Sequence, residues 1–524
     1  MSHRYYAQLD STSDPMGQGE LRRLHCHIGG RWVESATNRY RDAYNPSTGE
    51  VIAKVPACTV DEIRRAVEAA RDAFPEWSGT PAVRRVQVLF RMKALVDRHL
   101  DELTRLLCLE NGKAWQESKG DVLKAAEVIE FACGIPHLMK GEALFDASRG
   151  YDTVQYRHPL GVVVGMVPWN FPAMIPHGWM IPLAIASGNT FVLKAASSAP
   201  QSALRFTELW REAGLPDGVL NVVMTDPADT DVLLDHPDVK AVSFVGSSSV
   251  ALKVYARAAA SGKRVQALGE AKNHALVMAD CNLDRSAAGI VNAFCGCAGE
   301  RCMALPVIVV EETIADAMVE LLRQKAAALR LGPAYDQNTQ LGPLINEKHR
   351  AGVSAWIEKG IREGAEVVLD GRGAQVPGHE KGFYLGPTIL DRVKPGMSVG
   401  DEEIFGPVLC VKRVKNFEQG LALMNDNPCA NGSVIYTQSG RHAREFARHT
   451  HGGMVGINVG IPVPLAVFGF TGQKKSFFGD LHTMGTDGVR FYTEIKNVTS
   501  TWFPESGGGG DVDTWDGMLD AIKK

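Results

Sequence analysis

Cys302 stands in the run Gly299-Glu300-Arg301-Cys302-Met303-Ala304-Leu305, directly after the small-residue segment Phe294-Cys295-Gly296-Cys297-Ala298. A charged pair beside a thiol, among small residues, suits a reactive sulfur better than a packed one. The thiolate is the nucleophilic form, and the Arg301 guanidinium is expected to favour it. A buried core cysteine is the competing reading, and the other cysteines keep it. Further segments carry groups that could serve such a nucleophile. Pro168-Trp169-Asn170-Phe171-Pro172 directly follows the apolar run Gly161 to Val167. The carboxyl end of a buried parallel strand is where open α/β sheets bind ligands. The Asn170 amide there could donate to a developing oxyanion, although a plain turn residue also fits. Lys194 closes another apolar run, where a cation could meet ribose or phosphate. Glu403-Ile404-Phe405-Gly406-Pro407-Val408 sets a carboxylate and a ring before a tight turn. Gly246-Ser247-Ser248-Ser249 follows a strand-like run and could present free amides to phosphate. It carries no Gly-x-Gly-x-x-Gly, so a simple capped turn fits as well.

The intervening pattern says what must position these groups. Residues 26 to 56 read as short strands and turns. Helical periodicity runs from Thr59, a fitting cap with acids in the first turn, to about Leu107. A longer amphipathic helix is expected over 117–138, with Val122, Ala125, Ala126, Ile129 and Phe131 on one face. From residue 160 strand-like and helix-like segments alternate. Gly161–Val167, Thr190–Leu193, Val219–Val223 and Ala241–Val245 are the strands, and Gln201–Ala213 is one of the helices. Such alternation predicts a parallel, doubly wound sheet. A second alternating set begins past 270, with His274–Met278, Val307–Val310, Glu366–Leu369 and Gly432–Tyr436. The expected organisation is an N-terminal tail over 1–20, a first α/β domain from 21–138 and 161–268, and a second from 269–486. A flexible tail is expected over 506–524, where Trp515, Met518, Leu519 and Ile522 could form one short amphipathic helix.

Composition narrows the class. The chain has 524 residues, 45% hydrophobic and 22% charged, with a net charge of −4. That is ordinary for a globular protein and gives no electrostatic footprint for nucleic acid or an anionic membrane. No run approaches the roughly 18 apolar residues of a membrane span. The polar Met1 to Gln18 stretch resembles neither a signal nor a transit peptide. The ten cysteines are scattered, with no Cys-x-x-Cys pair and no Cys/His cluster of zinc spacing. No metal site is expected. Free thiols in a reducing, cytoplasmic setting are expected.

Taken in order along the chain, Pro168–Pro172, Gly188–Lys194, Phe244–Ser247, Arg301-Cys302 and Glu403–Val408 resemble the aldehyde dehydrogenase superfamily over about residues 25–502. The resemblance implies a Rossmann-type nucleotide domain, a second α/β catalytic domain, and a small β arm from 139–160 and 487–505 that builds a homodimer or homotetramer. It implies that Cys302 attacks an aldehyde while Asn170 and the Cys302 amide hold the oxyanion. Trp169, Lys194, Ser197, Gly246, Ser247, Leu268, Glu403 and Phe405 are then the expected contacts of NAD or NADP. Phe405 would flank the nicotinamide, and Lys194 and Glu403 would hold its riboses. A narrower resemblance lies in Arg264–Leu268, Ala271-Lys272-Asn273-His274, Gly299–Ala304 and Ser476–His482. These are similar to the CoA-acylating methylmalonate/malonate-semialdehyde dehydrogenase branch. It implies CoA as co-substrate, release of an acyl-CoA with decarboxylation, and Arg301 as clamp for a substrate carboxylate.

One position has a direct physical meaning. Hydrolytic relatives carry a glutamate four residues before the lysine that is here Lys272. This chain has Leu268 there, and leucine cannot act as a base. The acyl group should then need a nucleophile that requires no such help, and a carrier thiol is one. Four departures from the branch pattern bear on this. Lys124 falls where a second carboxylate-binding arginine is expected, and lysine is a point charge instead of a fork. Ser197 replaces a glutamate that would repel a 2′-phosphate, which admits NADP. Glu270 could act as a displaced base and restore hydrolysis to a free acid. His177-Gly178 adds one residue between Asn170 and Lys194 and is expected to reshape the substrate funnel. A non-catalytic binding or structural protein on the same scaffold is the alternative from another class.

Overall fold

The computed structural model describes residues 22–148 and 150–502. The expected tails at 1–20 and 506–524, with their candidate helix, lie outside the described residues. Five largely buried segments form the parallel centre of an eight-stranded sheet, as expected of strands covered on both faces. Its order is Arg31–Val33, Cys26–Ile28, Leu220–Val223, Thr190–Lys194, Val162–Met166, Val239–Val245, Arg264–Leu268 and Phe477–Gly479. The chain winds outward from Val162–Met166 in one direction and resumes at Val239–Val245 in the other. The switch point therefore falls between these two strands. The turns that leave them are Pro168–Asn170 and Gly246–Ser247, so both candidate segments open onto the same crevice.

The second sheet has seven strands, in the order Glu366–Leu369, Thr388–Asp391, Val408–Val414, Val307–Glu311, His274–Val277, Gly432–Tyr436 and Met454–Ile457. All but the first run parallel. It is the amino-terminal edge of this sheet that meets the first one. Cys302 lies just before Val307, Glu403 just before Val408, and Asn273 just before His274. Each sheet has its own buried apolar core. The chain returns to the first core late: Phe477–Gly479 joins the first sheet, and Val489, Phe491 and Tyr492 pack into the first core. These residues thus depart from the simple division at 269–486 and 487–505. A separate three-stranded sheet of Thr493–Thr501, Tyr151–Pro159 and Ala143–Ser148 projects its apolar Leu144, Phe145, Ile495 and Val498 into solvent. No helix among the described residues is long and apolar enough to cross a membrane.

Helix Val60–Gly79 starts on a reciprocal cap, in which the Glu62 amide donates to the Thr59 hydroxyl and the Thr59 amide to the Glu62 carboxylate. The expected helix over 117–138 is Trp115–Ala132 followed by the turn Ile135–Leu138. The extra residue at His177-Gly178 is absorbed as a π-helical turn, Ile175–Met180. His177 turns into the first core, stacks on Phe206 and accepts a 3.2 Å hydrogen bond from Trp210 Nε1. Gly178 sits against Ala125 of the neighbouring helix. The insertion does not line the substrate cavity described below, which corrects the expected reshaping of the funnel.

Among the described residues three histidines are buried, and desolvation drives each well down: His27 to about 4, His177 to about 3 and His274 to about 3. In the unfolded chain each takes up a proton near pH 6.5. Between these values the unfolded state binds more protons, so stability falls as pH drops below 6.5. Together they give a loss of about 4 kcal/mol per pH unit between about pH 6 and 4. Glu110 and Glu403, which burial pushes up to about 7 and about 8, act in the opposite sense over the same range, so the histidine share is read from a His177→Asn variant, whose urea midpoint is expected to fall less between pH 7 and pH 5 than that of the parent chain.

Candidate active site

Cys302 is carried on the short connection between helix Leu283–Cys295 and strand Val307–Glu311. Two asparagines at the starts of neighbouring strands fix that connection. Asn273 Nδ2 donates to the carbonyls of Cys302 (2.8 Å) and Ala304 (2.7 Å), and Asn431 Nδ2 donates to the Cys302 carbonyl at 3.1 Å. With the carbonyl held, the side chain is presented to the seam between the sheets. Gly299 allows the close crossing this needs: its φ is +74°, and a Cβ there would lie 2.1 Å from the Gly406 carbonyl oxygen. The crossing brings the Cys302 loop against the Glu403–Gly406 turn. In the sequence Asn273 stands only as part of the Ala271–His274 resemblance, and Asn431 has no signal beyond its place at a strand start.

From the first sheet, the turn after Val162–Met166 delivers Asn170. It is buried, and its Nδ2 donates at 3.1 Å to the Glu300 carbonyl, two residues before Cys302. One amide hydrogen is thus used for orientation and the other is left. Trp169 packs edge-on against Phe405 and His349, each at 5.7 Å between ring centres. Phe405 holds a strained φ of +62°, and its carbonyl is bonded by His349 Nε2 at 2.8 Å.

The electrostatics overturn one expectation. Burial first, and then the Glu403 carboxylate, push the Cys302 thiol up to about 12. Arg301 pulls the other way but does not prevail, so the resting residue is a thiol and not a thiolate. Burial likewise pushes Glu403 up to about 8, with Glu270 adding to the rise and the Ala271 amide and Lys272 opposing it. Glu403 accepts that amide at 3.0 Å.

Residues that could hold a dinucleotide line the rest of the crevice. Helix Ser248–Ala260 begins at Ser247 with no side-chain cap, which leaves amides free to meet an anion. Gly246 bonds the Leu268 carbonyl at 3.0 Å, tying the phosphate turn to the strand that ends at Leu268. Leu268 is buried and apolar. Lys194 terminates its strand as expected, and burial lowers its pKa. Ser197 lies half-buried in the turn that follows. An uncapped helix start, a cation at a strand end and a carboxyl opposite fit a diphosphate with riboses. Glu270 has its backbone pinned by Ser248 Oγ (2.9 Å) and Ser476 Oγ (2.6 Å), and its charge is felt at Glu403.

On the other side of Cys302 a cavity of about 330 Å³ is lined by Phe171, Met174, Met303, Ile461, Val463 and Phe470, together with Arg301 and Lys124. Arg301 Nη2 donates to the Asn292 carbonyl, while its Nε is buried with no partner. Gly296 makes room for the guanidinium, since a Cβ there would lie 1.7 Å from Nη2. Lys124 reaches the wall but is already engaged. Its ammonium pairs with Glu127 at 2.9 Å and donates to the Pro464 carbonyl at 2.8 Å. It therefore anchors the 461–466 loop, and as a second clamp it would first have to release Glu127. Two acids missed by sequence complete the wall. Half-buried Glu117 accepts the Cys297 amide at 2.6 Å and faces the Arg301 charge. Buried Asp121 pairs with Lys113 at 2.7 Å, and that ammonium lies 3.5 Å above the Phe171 ring.

An uncapped helix start and a cysteine loop meet across the seam of two α/β sheets, an arrangement suited to a dinucleotide on one side and a reacting thiol on the other. The chain belongs to the aldehyde dehydrogenase family, whose model matches residues 32–498. Within the family it is 49% identical over 482 residues to malonate-semialdehyde dehydrogenase 2 of Geobacillus thermodenitrificans, covering 92% of this chain and 99% of that protein. A malonate-semialdehyde dehydrogenase of Pseudomonas aeruginosa is 46% identical, over 91% of this chain and 96% of its own. Among solved structures, a protein of Sinorhizobium meliloti assigned as a methylmalonate-semialdehyde dehydrogenase and complexed with NAD superposes with a TM-score of 0.92 at 42% identity, covering 93% and 100% of the two chains. The methylmalonate-semialdehyde dehydrogenase of Oceanimonas doudoroffii gives 0.91 at 43% identity, covering 92% and 99%.

Proposed function

We propose that this enzyme oxidises a short semialdehyde bearing a carboxylate, of the malonate or methylmalonate kind, and releases it as an acyl-CoA by way of a thioester on Cys302. The observation that carries this reading is the shared cavity of Cys302 and Arg301. Its wall is largely apolar, and the Arg301 guanidinium that lines it is a planar fork suited to a substrate carboxylate.

The residues then divide the work. Arg301 holds the carboxylate and so sets the aldehyde carbon toward the sulfur. The Cys302 sulfur attacks that carbon, and because the resting group is a thiol, its proton passes to solvent water as the C–S bond forms. Asn170, already oriented by the Glu300 carbonyl, gives its second amide hydrogen to the oxygen that gains charge. Collapse of that oxyanion expels hydride and leaves the thioester. A nicotinamide dinucleotide supplies the hydride acceptor; the amides after Ser247, Lys194 and Glu403 would hold it, with Trp169 and Phe405 beside it. Ser197 places no carboxylate near Lys194, which supports use of NADP as well as NAD. Leu268 offers water no base, so the thiol of CoA takes the acyl group, with loss of carbon dioxide from a 3-carboxylate. The solvent-facing apolar side chains of the three-stranded sheet support assembly into a dimer or tetramer.

A panel of aldehydes with and without a carboxylate tests this reading. Acyl-CoA formation is expected to be at least about tenfold more efficient (kcat/KM) for malonate semialdehyde than for propanal. Equal efficiency would remove Arg301 from substrate binding. Gly296→Ala provides a finer test. The added methyl displaces a flexible guanidinium and not backbone, so the fold should be kept. KM for carboxylated aldehydes is expected to rise about tenfold or more, with KM for propanal nearly unchanged.

A further inference from the structure

Cys26 and Cys58 lie on opposite sides of a 32-residue span, and no spacing rule connects them. The fold does. Segments 22–24 and 54 run side by side in parallel, joined by the Arg23–Lys54 bridge and by amide bonds from Leu24 to Lys54 (2.9 Å) and from Lys54 to Arg22 (2.8 Å). Following both segments forward brings Cys26, the first residue of its strand, against Cys58, whose amide is fixed on the Met224 carbonyl at 2.8 Å. The two sulfurs are 2.6 Å apart. A disulfide needs about 2.05 Å, so closure by about 0.5 Å completes the bond. Both side chains are essentially inaccessible, at 1% and 0% exposure, and no step of the proposed chemistry uses either.

We infer that Cys26 and Cys58 are a modification site: a thiol pair that a hydroperoxide converts to a disulfide, stapling the N-terminal strand Cys26–Ile28 to the start of helix Val60–Gly79. The step balances with hydrogen peroxide as two-electron oxidant. One thiolate attacks the peroxide, giving a sulfenic acid and, after protonation, water. The second sulfur then attacks the sulfenic sulfur, forming the S–S bond and releasing a second water. Access comes from local opening. Strand Cys26–Ile28 has three residues and meets Leu220–Val223 through the single ladder pair His27–Val222, backed by His27 Nδ1 on the Leu220 carbonyl (3.1 Å) and the Gly29 amide on Asn221 Oδ1 (2.8 Å); it can lift together with its edge partner Arg31–Val33 while the parallel centre of the sheet stays paired. The hydrogen bond to Cys58 and burial keep the Cys26 thiol well above its ordinary pKa, which makes the reaction slow at neutral pH. Closing the long loop restricts the unfolded chain and raises stability.

The test treats the full chain with bound NAD with hydrogen peroxide at pH 8. Remaining thiols are then alkylated under denaturing conditions, and the protein is digested without reductant. The expected result is one linked peptide pair spanning residues 26 and 58, lighter than the sum by the two thiol hydrogens, and restored to free peptides by dithiothreitol. The thermal midpoint should rise by about 3 °C or more in the treated native chain. Cys58→Ser, nearly isosteric, should lose both the linked pair and the rise. Recovery of both residues as alkylated thiols, in a sample whose Cys302 has been oxidised, would overturn the inference. So would finding either residue as a sulfinic acid or linked to a different cysteine.

Discussion

Replacing Cys302 by serine is expected to lower aldehyde-dependent NADH formation by at least about 1,000-fold while leaving the fold intact. The second half of this expectation follows from how the loop is held. Asn273 and Asn431 grip the backbone carbonyl at 302, not the sulfur, so a serine is presented at the same place. What changes is the chemistry. The native thiol, even pushed up to about 12, gives up its proton far more readily than an alcohol. A thioester is also the activated acyl donor that transfer to CoA requires. Steady-state NADH production beside a thermal melt makes the comparison. A variant with a native melt and more than about a tenth of native turnover would show that another group makes the covalent bond.

Restoring a base at Leu268 should change the fate of the acyl group. In the native enzyme, omission of CoA is expected to give one NADH per active site and then a stall at the thioester. Leu268→Glu places a carboxylate at the end of strand Arg264–Leu268, beside the crevice. Release of free acid without CoA should then rise about 100-fold, the usual worth of a positioned general base. Product analysis by mass, with and without CoA, distinguishes acid from acyl-CoA. Steady native turnover without CoA would instead assign release to water and to Glu270. Glu270→Gln would then abolish it. Glu270 is held by its backbone near Glu403, and that position makes it the residue to examine if the stall is absent.

Much of this site is legible in the chain because the groups sit where one sheet ends and another begins. The apolar runs at 161–167 and 241–245 fixed which turns open onto the switch point, and the small residues around 296–302 fixed where a sulfur could be presented. What escaped is long-range. The Lys124–Glu127 pair is a local i,i+3 contact, but nothing local tells that the ammonium is also spent on the Pro464 carbonyl, 340 residues away. Arg301 does favour the thiolate, as its position beside Cys302 implies, but burial outweighs it, and burial depends on packing that no seven-residue window contains. An inserted residue at 177–178 reads as a change in the funnel. Only the register of the helix shows it spent in a π-turn facing the other way.

The placement of the site on a seam has a consequence of its own. Asn170 reaches Glu300, and Glu117 reaches the amide of Cys297, from one apolar body to the other, through single polar links. Alignment of the reacting groups is therefore a property of how two rigid halves sit together, more than of either half. Substitutions far from the sulfur that tilt one half by a fraction of an ångström will be felt as lost turnover in a protein that melts normally.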